Sequence, residues 1–248
     1  MRFHGDPAPT VRHAAAYAIG QLAGDLAPAL QRDPGALSLC FGCLAAQLDD
    51  ASQRVVARAA LALTRLCDPT VCDFSEAVPE AALHSLLALL RPAGGDAPVT
   101  GVQLSAITAL ASIAQVCGPA VCGGAFYDAL MPVAKELAVR SSAAAAAGAP
   151  AVAPAVAPAA AVATQRGGAE RGAARLLRGK ALECIVLVGV VAGAERFAAE
   201  AKWLLDFIVH LGAGAAAALA PDDDSTQVRA GCPAVLCSLC AWLFVSSS

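Results

Sequence analysis

The chain has 248 residues with 17 basic and 20 acidic side chains, and charged residues make up 15 % of it, against about 25 % in an average globular domain. A net charge of −3 supplies no electrostatic footprint for nucleic acid, and the absence of Asn excludes an N-glycosylation sequon. Aromatics at 4 % and 63 Ala residues argue against a sheet-rich fold, which leans on aromatic and β-branched residues, and for an all-α chain, since Ala has the highest intrinsic helix propensity.

Along the chain, the opening Met1-Arg2-Phe3-His4-Gly5-Asp6-Pro7 carries no apolar h-region of a secretory signal. A helical stripe follows at Val11, Ala15, Ile19 and Leu22, spaced i, i+4, i+8 and i+11. A second amphipathic helix is predicted over Leu37, Cys40, Phe41, Leu44 and Leu48. The first stripe recurs at Val55, Ala59, Leu63 and Leu66, then at Val102, Ala106, Leu110 and Ile113. It returns at Lys180, Cys184, Val188 and Val191, with Gly189 standing where the first copy has Gly20, and at Val228, Cys232, Leu236 and Leu239. Helices of the second kind precede the later copies, at Leu83/Leu86/Leu87/Leu90, Phe126/Leu130/Val133/Leu137 and Leu204/Phe207/Ile208/Leu211.

Val11 to Val55 is 44 residues and Val55 to Val102 is 47. Two amphipathic helices per unit of about 40–47 residues indicate a HEAT or armadillo array, so the expected fold is an all-α HEAT-repeat solenoid of about five stacked helix pairs. The connections repeat as well: Cys67-Asp-Pro-Thr-Val-Cys72 and Cys117-Gly-Pro-Ala-Val-Cys122. An Asp precedes the Val-Arg of the helix entry at Asp6/Arg12 and Asp223/Arg229, which suits an inter-repeat ion-pair ladder near the helix N-termini. The first stripe leaves too few residues for a helix before it, and neither end resembles the polar cap a solenoid requires. The expectation is a piece of a longer array, spanning repeats over 1–140 and 171–248.

The third and fourth stripes are 78 residues apart, so a period near 45 leaves about 33 surplus residues. Ser141 to Gln165 has no charged residue, with Pro at 150, 154 and 158. Proline breaks helix interiors, so 141–170 is expected to be a disordered Ala/Pro-rich insertion. Pro233 and Gly231 sit inside the last stripe and weaken it as a helix.

The mean hydropathy of +0.62 invites a membrane reading. The long apolar runs Ala181–Ala194, which contains Glu183, and Gly231–Val245 fall short of the roughly 20 residues a span needs, so both read as buried helices and no membrane partner is expected. The two C-x-x-C pairs, Cys40/Cys43 and Cys237/Cys240, lie inside helical patterns rather than on turns, so core packing is expected and no metal or cofactor. Arg178-Gly179-Lys180-Ala181 fails as a phosphate loop, because Ala174 and Ala181 stand where that motif needs Gly and Ser or Thr. No nucleophile elbow is present and His4, His13, His84 and His210 are scattered; no catalytic residue is assigned.

Phe126-Tyr127-Asp128-Ala129-Leu130-Met131-Pro132 resembles the YYDLFMP stretch of importin-β (karyopherin-β) nuclear transport receptors. Arg175-Leu-Leu-Arg-Gly-Lys-Ala-Leu-Glu-Cys-Ile185 resembles their RLLRGKTIECI helix, followed in the same order by Val188-Gly189 and Glu195-Arg196-Phe197. Val11-Arg12, Gly20-Gln21-Leu22-Ala23 and Asp222-Asp223-Asp224 also have counterparts. Within the family, the importin-five (karyopherin beta three) branch is the one resembled most. The resemblance covers nearly the whole chain except 141–170 and the tail after about Leu239.

The resemblance implies a central HEAT segment of a receptor that shuttles between cytoplasm and nucleus. Such receptors carry cargo with basic localisation signals, touch nucleoporins, and release cargo on Ran, which contacts mainly repeats this chain lacks. It also implies a cargo face lined by the second helix of each repeat, where acidic residues would suit lysine-rich signals. Asp50, Glu183, Asp222, Asp223 and Asp224 are the candidates. Asp50 and the Asp triplet can equally cap helices, and Glu183 can belong to a partly buried network. The alternative function is a HEAT scaffold subunit of a complex unrelated to transport.

Overall fold

The computed structural model describes residues 3–26, 29–30, 32–68, 80–91, 101–122, 124–147 and 158–218. They form eight α-helices and no strand among the described residues: α1 Pro9–Asp25, α2 Pro34–Gln47, α3 Gln53–Leu66, α4 Glu80–Leu90, α5 Gly101–Cys122, α6 Ala125–Ala147, α7 Pro158–Ala192 and α8 Ala194–Ala218. Helices α1, α3, α5 and α7 pack side by side in that order as one layer, and α2, α4 and α6 form a second. Each second-layer helix also packs on the first-layer helix that follows it, giving the pairs α2/α3, α4/α5 and α6/α7. This is the expected all-α solenoid. Three pairs are complete among the described residues; α8 begins a fourth by packing on α7, and the last predicted stripe, Val228–Leu239, lies outside them.

The helix starts follow from local chemistry. Asp33 caps α2 by accepting the Ala36 N–H at 2.9 Å, with Pro34 in the first turn. Before α1, Asp6 accepts the Ala8 N–H at 2.9 Å, and Pro9 takes a position whose N–H would be orphaned anyway. The ends follow too. Gly118, at φ 64° and directly before Pro119, interrupts α5 within the repeated Cys-Gly-Pro connection. Gly193, at φ 95°, separates α7 from α8.

Between the layers runs one apolar core, including Phe41, Leu44, Leu63, Leu66, Leu86, Ile107, Leu110, Ile113, Leu130 and Phe197, all fully buried. Burying each such side chain stabilises the fold by roughly 1.5–3 kcal/mol. The predicted stripes of α3 and of α5 from Ala106 onward are buried as expected. That of α1 is rotated: Ala16, Ile19, Gly20 and Ala23 face inward while Leu22 is 50 % exposed. The physical reason is Gly20, which lets α1 approach α3 so closely that a Cβ there would sit 3.1 Å from Ala62 Cα and Cβ. The contact line therefore runs through the small residues and turns Leu22 outward.

Helix reaches into the expected 141–170 insertion from both sides. Helix α6 continues through Ala147 and α7 begins at Pro158, because an Ala run is intrinsically helical and proline is well tolerated in a first turn. Residues 148–157 lie outside those described. Helices α5 and α7 nevertheless pack directly on each other, so the surplus residues do not interrupt the stacking of repeats.

Among the described residues one helix, which is not the Ala181–Ala194 run, has the length and apolarity of a membrane span. Gly101–Pro119 of α5 is long and apolar enough to cross a membrane by composition, but half of that stretch is buried inside the protein, between α3, α4 and α7.

Candidate functional site

Two of the acidic candidates, Asp50 and Glu183, fall on the layer of α1, α3, α5 and α7. Asp50 lies in the turn before α3 and is only 8 % exposed at its side chain. Its Oδ2 accepts from Arg12 Nε at 2.5 Å, and its Oδ1 accepts from Arg12 Nη2 at 2.9 Å and from the Ser52 N–H at 2.8 Å. Arg12 Nη1 donates in turn to the carbonyls of Asp6 at 2.7 Å and Pro7 at 3.0 Å, and Gln47 donates to the Arg12 carbonyl at 3.2 Å. The bond to Arg12, with smaller help from Ser52, holds the Asp50 carboxyl below the usual carboxylate range. Arg12 thus pairs between repeats with Asp50 rather than with Asp6 of its own entry, and both Asp50 oxygens are occupied.

Glu183 is placed differently. It lies on α7, 44 % exposed, with its Oε2 2.7 Å from Lys180 Nζ one turn earlier. Leu176 and Val190, each seven residues away on the same helical face, are 52 % and 43 % exposed. An exposed pair of this kind is worth little to stability, so the carboxylate can exchange Lys180 for another cation. Asp222, Asp223 and Asp224 lie outside the described residues, and so does Cys237/Cys240.

The residues that carry the family resemblance meet in space. Tyr127 Oη donates to the Arg196 carbonyl at 3.3 Å, while the Arg196 guanidinium lies 4.9 Å above the Tyr127 ring and pairs with Asp128 at 2.8 Å. Burial pushes the Tyr127 phenol up despite the nearby Arg196. Next along α8, Phe197 is fully buried against Gly189, where a Cβ would overlap its ring. Further along, Lys135 of α6 pairs with Glu200 and lies 5.2 Å from the Trp203 ring centre, which stacks on Phe207 at 5.0 Å. Tyr127 and Asp128 of the first run, through Arg196, join α6 to the start of α8. Gly189 and Gly20 share a register, yet Gly20 faces the next helix of its own layer and Gly189 faces α8.

Cys40, Cys43, Cys67, Cys117 and Cys184 are buried and pack in the core. Burial pushes the Cys117 thiol up to about 11 and raises that of Cys40, which opposes thiolate chemistry. Among the described residues no three His, Cys, Asp or Glu side chains are grouped so as to hold a metal.

Sequence reasoning missed one constellation on this layer. The exposed stripe of α3 carries Arg54, Arg58, Leu61 and Arg65, beside His13 and Tyr17 of α1. The i, i+4, i+7, i+11 spacing was visible in the sequence, but the apolar residues interleaved with it took precedence.

No family model matches the chain. The chain is similar in fold to the karyopherin Kap121p. A crystal structure of Kap121p superposes with a TM-score of 0.63 at 23 % identity, over 97 % of this chain and 19 % of that one. Kap121p bound to Nup53p matches with a TM-score of 0.58 at 22 % identity, over 96 % and 17 %. Kap121p bound to the extreme C-terminus of the protein phosphatase Cdc14p gives 0.58 at 24 %, over 86 % and 17 %. The chain spans about a fifth of the length of the structures it matches, and its helix pairs have the HEAT-repeat solenoid fold.

Proposed function

We propose that the chain is a cargo-binding segment of an importin-β-type nuclear transport receptor, of the importin-five branch, acting by binding rather than catalysis. The observation that carries this reading is the superposition on Kap121p over 97 % of the chain. The shared sequence runs support it, since they fall together at the α6–α7–α8 corner. Cargo with lysine-rich signals would meet the layer of α1, α3, α5 and α7. Glu183, flanked by Leu176 and Val190, suits a lysine with its aliphatic stem, and Asp222, Asp223 and Asp224 are the further acidic candidates in the sequence. Asp50 serves that face by holding adjacent repeats in register. Nucleoporins and Ran are the further partners of this reading, with Ran engaging repeats beyond this segment and the receptor shuttling between cytoplasm and nucleus.

The test is capture of a lysine-rich signal peptide by the receptor that contains this segment, with and without Ran-GTP. Capture should be lost on adding Ran-GTP and weakened by Glu183→Lys. A partner that stays bound whatever the nucleotide on Ran, with no peptide capture, would point instead to a scaffold.

A further inference from the structure

A second patch on the same layer has the opposite charge. Arg54, Arg58 and Arg65 share one stripe of α3 with Leu61, which is 40 % exposed; Arg54 and Arg65 are exposed and Arg58 is half-buried. Among the described residues none of the three is ion-paired with a carboxylate. Arg58 instead lies 5.0 Å over the ring of Tyr17, itself 47 % exposed, and donates to His13 Nε2 at 3.4 Å. Burial, with a smaller contribution from Arg58 and Arg54 close by, holds the His13 imidazole below its ordinary range. The acidic side chains at this end of α1 are already committed, Asp6 to the Ala8 N–H and Asp50 to Arg12 and Ser52.

We propose that the α1/α3 face is a docking site for an acidic peptide segment that carries an apolar residue among its carboxylates. The inference does not rest on the transport reading. Charge complementarity selects the sign of the partner, and the guanidinium fork suits carboxylates in particular. Along the helix Arg54 and Arg58 are about 6 Å apart, and Arg58 and Arg65 about 10 Å. In an extended chain those distances correspond to about two and three residues. The pattern favoured is therefore acidic residues at i, i+2 and i+5, with an apolar residue between the last two against Leu61 and Tyr17. The apolar centre favours a peptide over nucleic acid, because Arg58 already covers one face of the Tyr17 ring on which a base would stack.

The probe is a fluorescent twelve-residue peptide with Glu at i, i+2 and i+5 and Leu at i+3, titrated into the full chain by anisotropy at low and physiological salt. Its comparators are the same peptide with Lys for Glu, and poly(U) RNA. The Glu peptide should bind in a salt-sensitive way and raise the His13 titration midpoint seen by NMR. Arg58→Glu with Arg65→Glu should loosen it at least about tenfold, and Arg58→Lys with Arg65→Lys should loosen it less, since the charge stays and only the fork is lost. Absence of binding, affinity unchanged by charge reversal in the folded variant, or tighter binding of poly(U) through the same arginines would each overturn the proposal.

Discussion

Arg12 and Asp50, 38 residues apart, form a two-pronged ion pair that ties the entry of α1 to the entry of α3. The guanidinium also gathers the carbonyls of Asp6 and Pro7, so one side chain fixes two turns. Asp50→Asn should lower the thermal midpoint by a few degrees while leaving helicity intact. The pH dependence follows from the direction of the shift. Because folding depresses the Asp50 carboxyl, its contribution is present above the ordinary carboxylate value of about 3.9. It is lost as pH falls through the lower, folded value. Denaturation of the wild type and the variant should therefore converge toward low pH; a gap that stays constant would refute the assignment.

Gly189 is the second test, because α8 closes on α7 only if no side chain separates them. A Cβ there would overlap the buried Phe197 ring. Gly189→Ala should cost at least 1–3 kcal/mol, the usual range for overpacking, measured as a fall in the urea midpoint. Phe197→Leu should recover part of that loss in the double variant. Gly20→Ala should cost less, since its neighbours in Ala62 stand at 3.1 Å and need to give by only a few tenths of an ångström.

Glu183 separates function from stability. Its pair with Lys180 is nearly half exposed, so Glu183→Lys should leave the unfolding midpoint within about 0.5 kcal/mol of wild type. Binding of lysine-rich peptides should fall as the face loses its acid. A large stability loss without any binding change would assign Glu183 to the framework.

The buried thiols make a chemical prediction. With Cys117 pushed up to about 11 and Cys40 raised by burial, disulfide reagents should label both slowly at neutral pH. Labelling should accelerate sharply on unfolding, and mass spectrometry reads each site. Rapid modification of either in the folded chain would contradict the core packing.

Much of this architecture is legible along the chain because amphipathic stripes report their own burial. Leu37, Phe41 and Leu44, or Leu83, Leu86 and Leu90, needed no partner to declare a helix face, and each lies in the core. The role of Asp50 was only half legible: its position before a helix suggested a cap or a cargo contact, and the arginine that occupies it comes from another repeat. Glu183 was named without its surroundings, while the arginine stripe on α3 went unread between the apolar positions.

The helical class, the two-helix repeat and its period were determined by the order of residues alone, since propensity and periodicity are local properties. The rotation of α1 about Gly20, the partner of Gly189, the engagement of Asp50 and the charge of the α1/α3 face were decided only in three dimensions. Each depends on how closely two distant backbones approach, and close packing permits one solution where the sequence pattern allows several.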